Sequence, residues 1–209
     1  MRNEGTRTLF QYWNRLRDGR PAPRRTEIEP ADIKSLLADT FILERDARGQ
    51  AVFRLAGTRL CAVFGRELKG FAYSSLWALK DQRVIARLLF GSLQQNAVNV
   101  VDLTGTSRNG RSNAFEMLVL PLDGGVDNPR ALGSLVAMDK PYWLGADPII
   151  ECRIAPIRVL DPAAAPVFLK NRPAMPVPPL SPEGEFGPAG PASARRIRHL
   201  VVLEGGRDK

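Results

Sequence analysis

The sequence of 209 residues predicts an α+β fold, a five-stranded antiparallel sheet with helices inserted after the second strand. Three observations carry that expectation. Apolar residues recur at helical spacing in residues 6–18 and again in residues 81–95. After Asn96 the apolar period shortens to that of a strand, and Asn109-Gly110 divides the alternating stretch as a hairpin turn does. From Pro162 onward nine prolines fall within residues 162–191, and each removes a backbone donor and fixes its own φ.

Taken in order, Leu9, Phe10, Trp13 and Leu16, with Tyr12 beside them, form the apolar stripe of a first helix that Gly19 stops. Arg20-Pro-Ala-Pro-Arg-Arg is not helical, and Pro30 opens a second short helix. Residues 41–45 and 51–56 read as strands joined by the turn Asp46-Ala-Arg-Gly-Gln. Gly57 permits a tight strand-to-helix turn, Thr58 is placed to cap residues 59–64, and Gly65 and Gly70 act as stops. In residues 81–95, Val84, Ile85, Leu88, Leu89 and Leu93 share one stripe. Residues 98–106, 113–122 and 131–139 then form a meander, and residues 150–160 are a further strand or an extended arm. The chain divides into a basic helix and arm (1–29), a globular domain (30–161) and a Pro-rich disordered tail (162–209).

The net charge of +8 is unevenly distributed. Residues 1–25 carry +5, residues 162–209 carry +3, and the stretch between is neutral. A balanced globular part without a recognition-helix pattern argues against specific nucleic-acid binding. No apolar run is long enough to span a membrane, and residues 1–9 hold two arginines and no h-region. Cys61 and Cys152 have no metal or disulfide spacing, which fits a reducing, cytoplasmic setting. His199 is the one histidine and lies in the tail, so zinc hydrolases and serine triads lack their parts.

Several ordered motifs go further. Tyr12-Trp13, Arg17, Gly19, Pro23, Arg25, Ile28, Pro30, Ile33 and Leu36-Leu37 precede Phe53-Arg54-Leu55-Ala56-Gly57-Thr58 and Phe64-Gly65-Arg66-Glu67-Leu68-Lys69-Gly70. With Leu120-Pro121-Leu122 at the end of the fourth strand, this series resembles the stand-alone PAS-like proteins of alphaproteobacteria over about residues 7–145. The resemblance implies a cytoplasmic sensory or protein-interaction module, often dimeric, and names no ligand. It marks Trp13, Arg25, Arg54, Gly57, Thr58 and Gly65 as family-motif or interface positions. Trp13 is expected in the core or at a dimer interface, and Arg54 on an outer face, meeting solvent, an anion or a carboxylate such as Glu67.

Two function classes follow. In one, a small apolar or amphipathic ligand enters between the sheet and the helices against Val100, Phe115, Met117 and Leu135, and the N-terminal helix shifts. In the other, the core is simply packed and the domain is an adaptor, with its basic arm and tail recruiting an acidic signalling partner. A flavin photoreceptor needs its cysteine in an Asn-Cys-Arg-Phe-Leu-Gln-like turn, and Cys61 in Arg-Leu-Cys-Ala-Val-Phe lacks it. Haem needs an axial ligand in the helical block, where no histidine stands. Any other cofactor stays unassigned. Arg20 and Arg24 match an R-x-x-x-R phosphate grip in spacing alone, and Asp102 and Glu116 on facing strands are the one acidic pair worth weighing for catalysis. The expectation is a non-enzymatic module.

Overall fold

Residues 1–124, 129–160, 194–197 and 200–203 are described by a computed structural model, with the side chains of 156–160 and of the last two segments left aside. The chain forms two units, residues 1–165 and 166–209. The first opens with α1 (Glu4–Arg17), two residues earlier than the apolar stripe suggests. The reason is a cap: extended Asn3 accepts the amides of Gly5 and Thr6 through its side chain. At the other end Asp18 and Gly19 take the left-handed conformation (φ 45° and 77°) and stop the helix.

The segment opened by Pro30 forms two 3-10 turns, Pro30–Ile33 and Leu37–Asp39, in place of the expected short helix. So brief a stretch gains little from helical propagation, and a tighter turn delivers the chain to β1 (Thr40–Arg45). β2 (Ala51–Ala56) returns beside it and leads to α2 (Thr58–Phe64). Gly57 is the residue at the helix N-cap, and Thr58 is the first helical residue, so Thr58 makes no side-chain cap. The φ of Gly57 is an ordinary −67°. Glycine is required there because a Cβ would collide with the carbonyls of Leu37 and Ala38. Gly65 does use its freedom, ending α2 at φ 61°.

A 3-10 turn, Tyr73–Leu76, leads to α3 (Leu79–Gln95). Ile85 and Leu89 are buried on it as expected, whereas Val84 faces outward at 42% exposure. Three long strands follow: β3 (Val98–Ser107), β4 (Ser112–Leu122) and β5 (Arg130–Ala137). At the β3–β4 turn only Gly110 has positive φ, at 78°, so Asn109 does not complete a two-residue mirror-image turn. Residues 149–160 are a full strand, β6 (Ile149–Leu160), and not an arm.

The sheet therefore has six strands, not five, in the order β2-β1-β5-β4-β3-β6, and every neighbouring pair is antiparallel. β6 pairs β3 from Val98↔Leu160 to Ser107↔Ile149 with two register shifts, an irregular ladder that the apolar alternation of β6 alone does not announce. The opening hairpin and the closing meander join where β1 lies against β5, from Thr40↔Ser134 to Glu44↔Arg130.

Both faces of this sheet are covered. On the inner face, α2, α3 and the turns beside them pack on Phe41, Leu43, Phe53, Val101, Leu103, Phe115, Met117 and Leu135. On the outer face, Leu9, Tyr12 and Trp13 of α1 and Ile28 and Ile33 after it pack on Ile42, Val98, Val100, Leu118, Leu120 and Leu132. The loop from β5 to β6 is pinned by the Ser107 hydroxyl, which donates to the buried Asp147 carboxylate at 2.7 Å.

In the second unit, β7 (Ala194–Ile197) and β8 (Leu200–Leu203) pair antiparallel, Ala194↔Leu203 to Ile197↔Leu200. The disorder expected for residues 162–191 lies outside the described residues. Among the described residues no helix is long and apolar enough to cross a membrane. Gly57→Ala is expected to cost about 1–3 kcal/mol by forcing Cβ into the Leu37 and Ala38 carbonyls, read by chemical denaturation; an unchanged midpoint would show that those turns yield.

Candidate functional site

The centre of the space between the sheet and the helical block, where a ligand is expected, is full. Phe41, Phe53 and Tyr73 meet ring to ring, with the Phe41–Phe53 edge contact at 5.6 Å and Phe53–Tyr73 at 5.7 Å. Trp77 extends the cluster 6.0 Å beyond Tyr73. The buried Tyr73 hydroxyl donates to Met117 Sδ at 2.6 Å. What remains is a void of about 10 Å³ bounded by Phe64, Leu68, Met117, Leu135 and Cys152 among others. That is at most room for one water. Below it, Asn99 donates to the Ser92 hydroxyl at 2.7 Å and to the Leu88 carbonyl at 3.0 Å, fixing α3 to β3.

Three of the four expected pocket residues, Phe115, Met117 and Leu135, do stand on this face. Val100 does not. It is buried on the opposite face against α1, because successive side chains of β3 alternate and Val101 and Leu103 take the inner side. With Val98, Val100, Val101 and Leu103 all apolar, β3 carries no mark of which parity points inward. Burial pushes the Tyr73 hydroxyl well above its ordinary range and the Cys152 thiol up to about 12, with Cys152 also adding to the shift at Tyr73. Neither ionises near neutral pH, so this interior offers no thiolate or phenolate. Among the described residues no metal-ligand cluster occurs.

The outer face carries the polar geometry. Glu116 on β4 is fully buried, and its two carboxylate oxygens accept the Arg2 amide at 2.7 Å and the Asn3 amide at 3.0 Å. Asp102 lies directly opposite on β3, and the Arg2 guanidinium stands 3.7 Å from it. Like charges facing across a strand pair repel. Here the positive end of α1 and Arg2 sit over both, so the acids hold down the start of the helix. Burial alone would raise the Glu116 carboxyl. The Arg2 and Asn3 amides and the Thr6 side chain oppose burial and leave the carboxyl below its ordinary value. The acids weighed for catalysis are thus a latch for α1, a role no spacing motif marks, although Asn3 as a cap residue signals where the helix begins.

Farther along, Trp13 is fully buried and its indole donates to the Pro121 carbonyl at 2.7 Å. Its side chain belongs to the core of the single chain and not to an exposed dimer surface. Arg17 lies over the same ring at 5.6 Å, and the Tyr12 hydroxyl accepts the Glu29 amide at 2.8 Å. Arg20 is committed within the arm: it donates to the Leu16 and Arg17 carbonyls and pairs with Glu27 at 2.9 Å. Arg20 holds the Glu27 carboxyl below its ordinary range, with the Arg24 amide assisting. The R-x-x-x-R spacing therefore builds a turn and not a phosphate grip. Arg25 links the arm to the end of β4 through its amide, which donates to the Asp123 carbonyl at 3.2 Å. Arg54 meets Glu44 across the β1–β2 ladder at 3.1 Å, not Glu67, whose carboxylate is placed to accept from Cys61 Sγ at 3.7 Å. Gly57, Thr58 and Gly65 set the ends of α2, so their roles are conformational.

The family whose description is PAS domain matches residues 1–136, a span from the latch to nearly the end of β5. No curated protein matches the chain.

Because Glu116 is held below its ordinary value in the fold, the latch contributes stability that is full above about pH 4.5, the ordinary value, and is lost as pH falls through the depressed one. Protection of the α1 amides, taken relative to the intrinsic exchange rate at each pH, should fall across that acidic window. Glu116→Gln should loosen α1 by about 1–3 kcal/mol at neutral pH and flatten the profile; a profile unchanged by that substitution would remove Glu116 as the latch.

Proposed function

The chain belongs to the PAS domain family, whose members are typically sensory or regulatory modules without catalytic machinery, and within that family we propose a signalling module that works by protein contacts, with α1 as its movable output element. The observation that supports this is the packed interior: about 10 Å³ remains where an internal ligand would sit. A flavin or haem does not fit there. The space is occupied by aromatic rings, Cys61 stands on α2 in contact range of Glu67, and no histidine lies among the described residues. The adaptor reading accordingly outweighs the reading in which Phe115, Met117 and Leu135 surround a guest molecule.

Covering the outer face with α1 gives such a module two states. Docked, the helix buries Leu9, Tyr12 and Trp13 and keeps Glu116 paired. Released, it would expose a broad apolar surface on β3, β4 and β5 that a partner, or a second copy in a homodimer, could cover. The Pro-rich tail and its basic strand Ala194–Ile197 supply a second contact suited to an acidic protein.

Denaturing mass spectrometry of freshly purified protein should find no flavin or haem, and either one at one per chain would overturn the packed-core reading. Partner capture from lysate, compared between the native chain and Glu116→Gln, should return different proteins. Identical sets from the two would dismiss α1 as the output element.

A further inference from the structure

The sheet has an opening that neither helical layer fills. β1 starts at Thr40, opposite Ser134, but β5 continues to Ala137. Residues 135–137 therefore have β4 on one side and no strand on the other. A cleft of about 530 Å³ occupies that position. It is bordered by the first turn of α1, the turn before β1, α2 and the loop after β5. The volume lies within the range of small-molecule sites, roughly 300–1,000 Å³. It is distinct from the closed interior, with Leu60 and Leu135 lining both.

The wall chemistry is divided. Leu60, Val63, Phe115, Leu135 and Leu144 make an apolar floor. Arg59, Lys140 and Asp39 are the charged residues of the rim, a balance of one positive charge. Arg59 is paired with Asp39, whereas Lys140 is exposed and forms no ion pair among the described residues. Burial raises the Asp39 carboxyl, while Arg59, through its charge and its hydrogen bond, and the more distant charge of Lys140 oppose that rise. The wall also contains Ser134, whose buried hydroxyl has no hydrogen-bond partner among the described residues.

We infer that this cleft binds a free amphipathic monoanion, a molecule with one carboxylate-type head and an apolar chain. The chain lies on Leu60, Val63 and Phe115, and the head takes Lys140. A cationic head would meet net positive charge, and a wholly apolar guest would desolvate Lys140 without pairing it. The site shares Asn3 and Gly5 with the proposed output element, but it uses neither the apolar face beneath α1 nor the tail, and decanoate binding is read separately from partner capture.

The probe is sodium decanoate below its micelle concentration, titrated calorimetrically into the full chain. One molecule per chain is expected. Lys140→Gln should weaken binding about fivefold, the worth of one exposed ion pair. Ala62→Trp, at an exposed position on α2 that lines the cleft, should abolish it by filling the space. Lys80→Gln on α3, away from the cleft, should leave it unchanged. Should Ala62→Trp fail to fold, hydrogen exchange of the native chain decides: decanoate should slow amides in residues 3–5 and 135–145. No heat with decanoate, equal affinity in folded Ala62→Trp, or protection elsewhere would overturn the proposal. Vesicles of phosphatidylglycerol present the same chemistry as a membrane. Binding to them without binding to decanoate would also overturn it, as the cleft is assigned to a free molecule.

Discussion

A sheet whose central strands are apolar on both faces is the constraint from which the architecture follows. Val98 and Val100 point one way from β3, Val101 and Leu103 the other, and β4 does the same with Leu118 and Leu120 against Phe115, Met117 and Val119. An antiparallel sheet usually leaves one face to water, and this one is mainly apolar at its centre on both sides, with Asn99, Asp102 and Glu116 as buried polar exceptions. Each face therefore recruits a helical cover. The inner cover comes from the insertion between β2 and β3, and the outer one from the N-terminal helix. Aromatic side chains then close the inner layer so completely that packing, and not ligand volume, accounts for Phe41, Phe53, Tyr73 and Trp77.

The two covers are held differently, which gives the molecule a polarity of stability. The inner layer is secured by rings, aliphatic side chains and the Asn99 hydrogen bonds, all insensitive to protons near neutrality. The outer helix depends on its apolar stripe plus a charged device at its start, Glu116 and Asp102 under Arg2 and Asn3. Truncating a buried tryptophan such as Trp13 costs about 3–5 kcal/mol, so the stripe supplies most of the adhesion. The carboxylates set where the helix begins and make its docking conditional on charge. An element attached in this way is well placed to move as a unit while the rest of the fold stays closed.

Much of this is legible in the residues. The helix-period stripe of α1, the shift to strand period after Asn96, the hairpin at Gly110 and the stop at Gly65 are local signals, and each survives into the structure because local geometry produces it. The ordered motifs from Tyr12 to Gly70 carry the family likeness for the same reason: they are caps, turns and helix stripes. Where the expectations depart, a distant neighbour is responsible. Pro30 opens a 3-10 turn since the chain has to reach β1. Thr58 cedes the cap to Gly57, whose lack of a side chain serves the backbone of Leu37 and Ala38.

The candidate site shows the same division more sharply. Strand period, composition and helix spacing settled that an antiparallel sheet is interrupted by a helical insert, since a side chain's hydrophobicity and its neighbours along the chain are enough for that. They left open which side of β3 Val100 faces, whether Glu116 is an acid or an anchor, whether the interior is hollow, and that Arg54 meets Glu44. Each of those depends on register between strands far apart in the chain or on how large side chains fill a shared volume. Such quantities exist only once the strands are paired and the faces are closed.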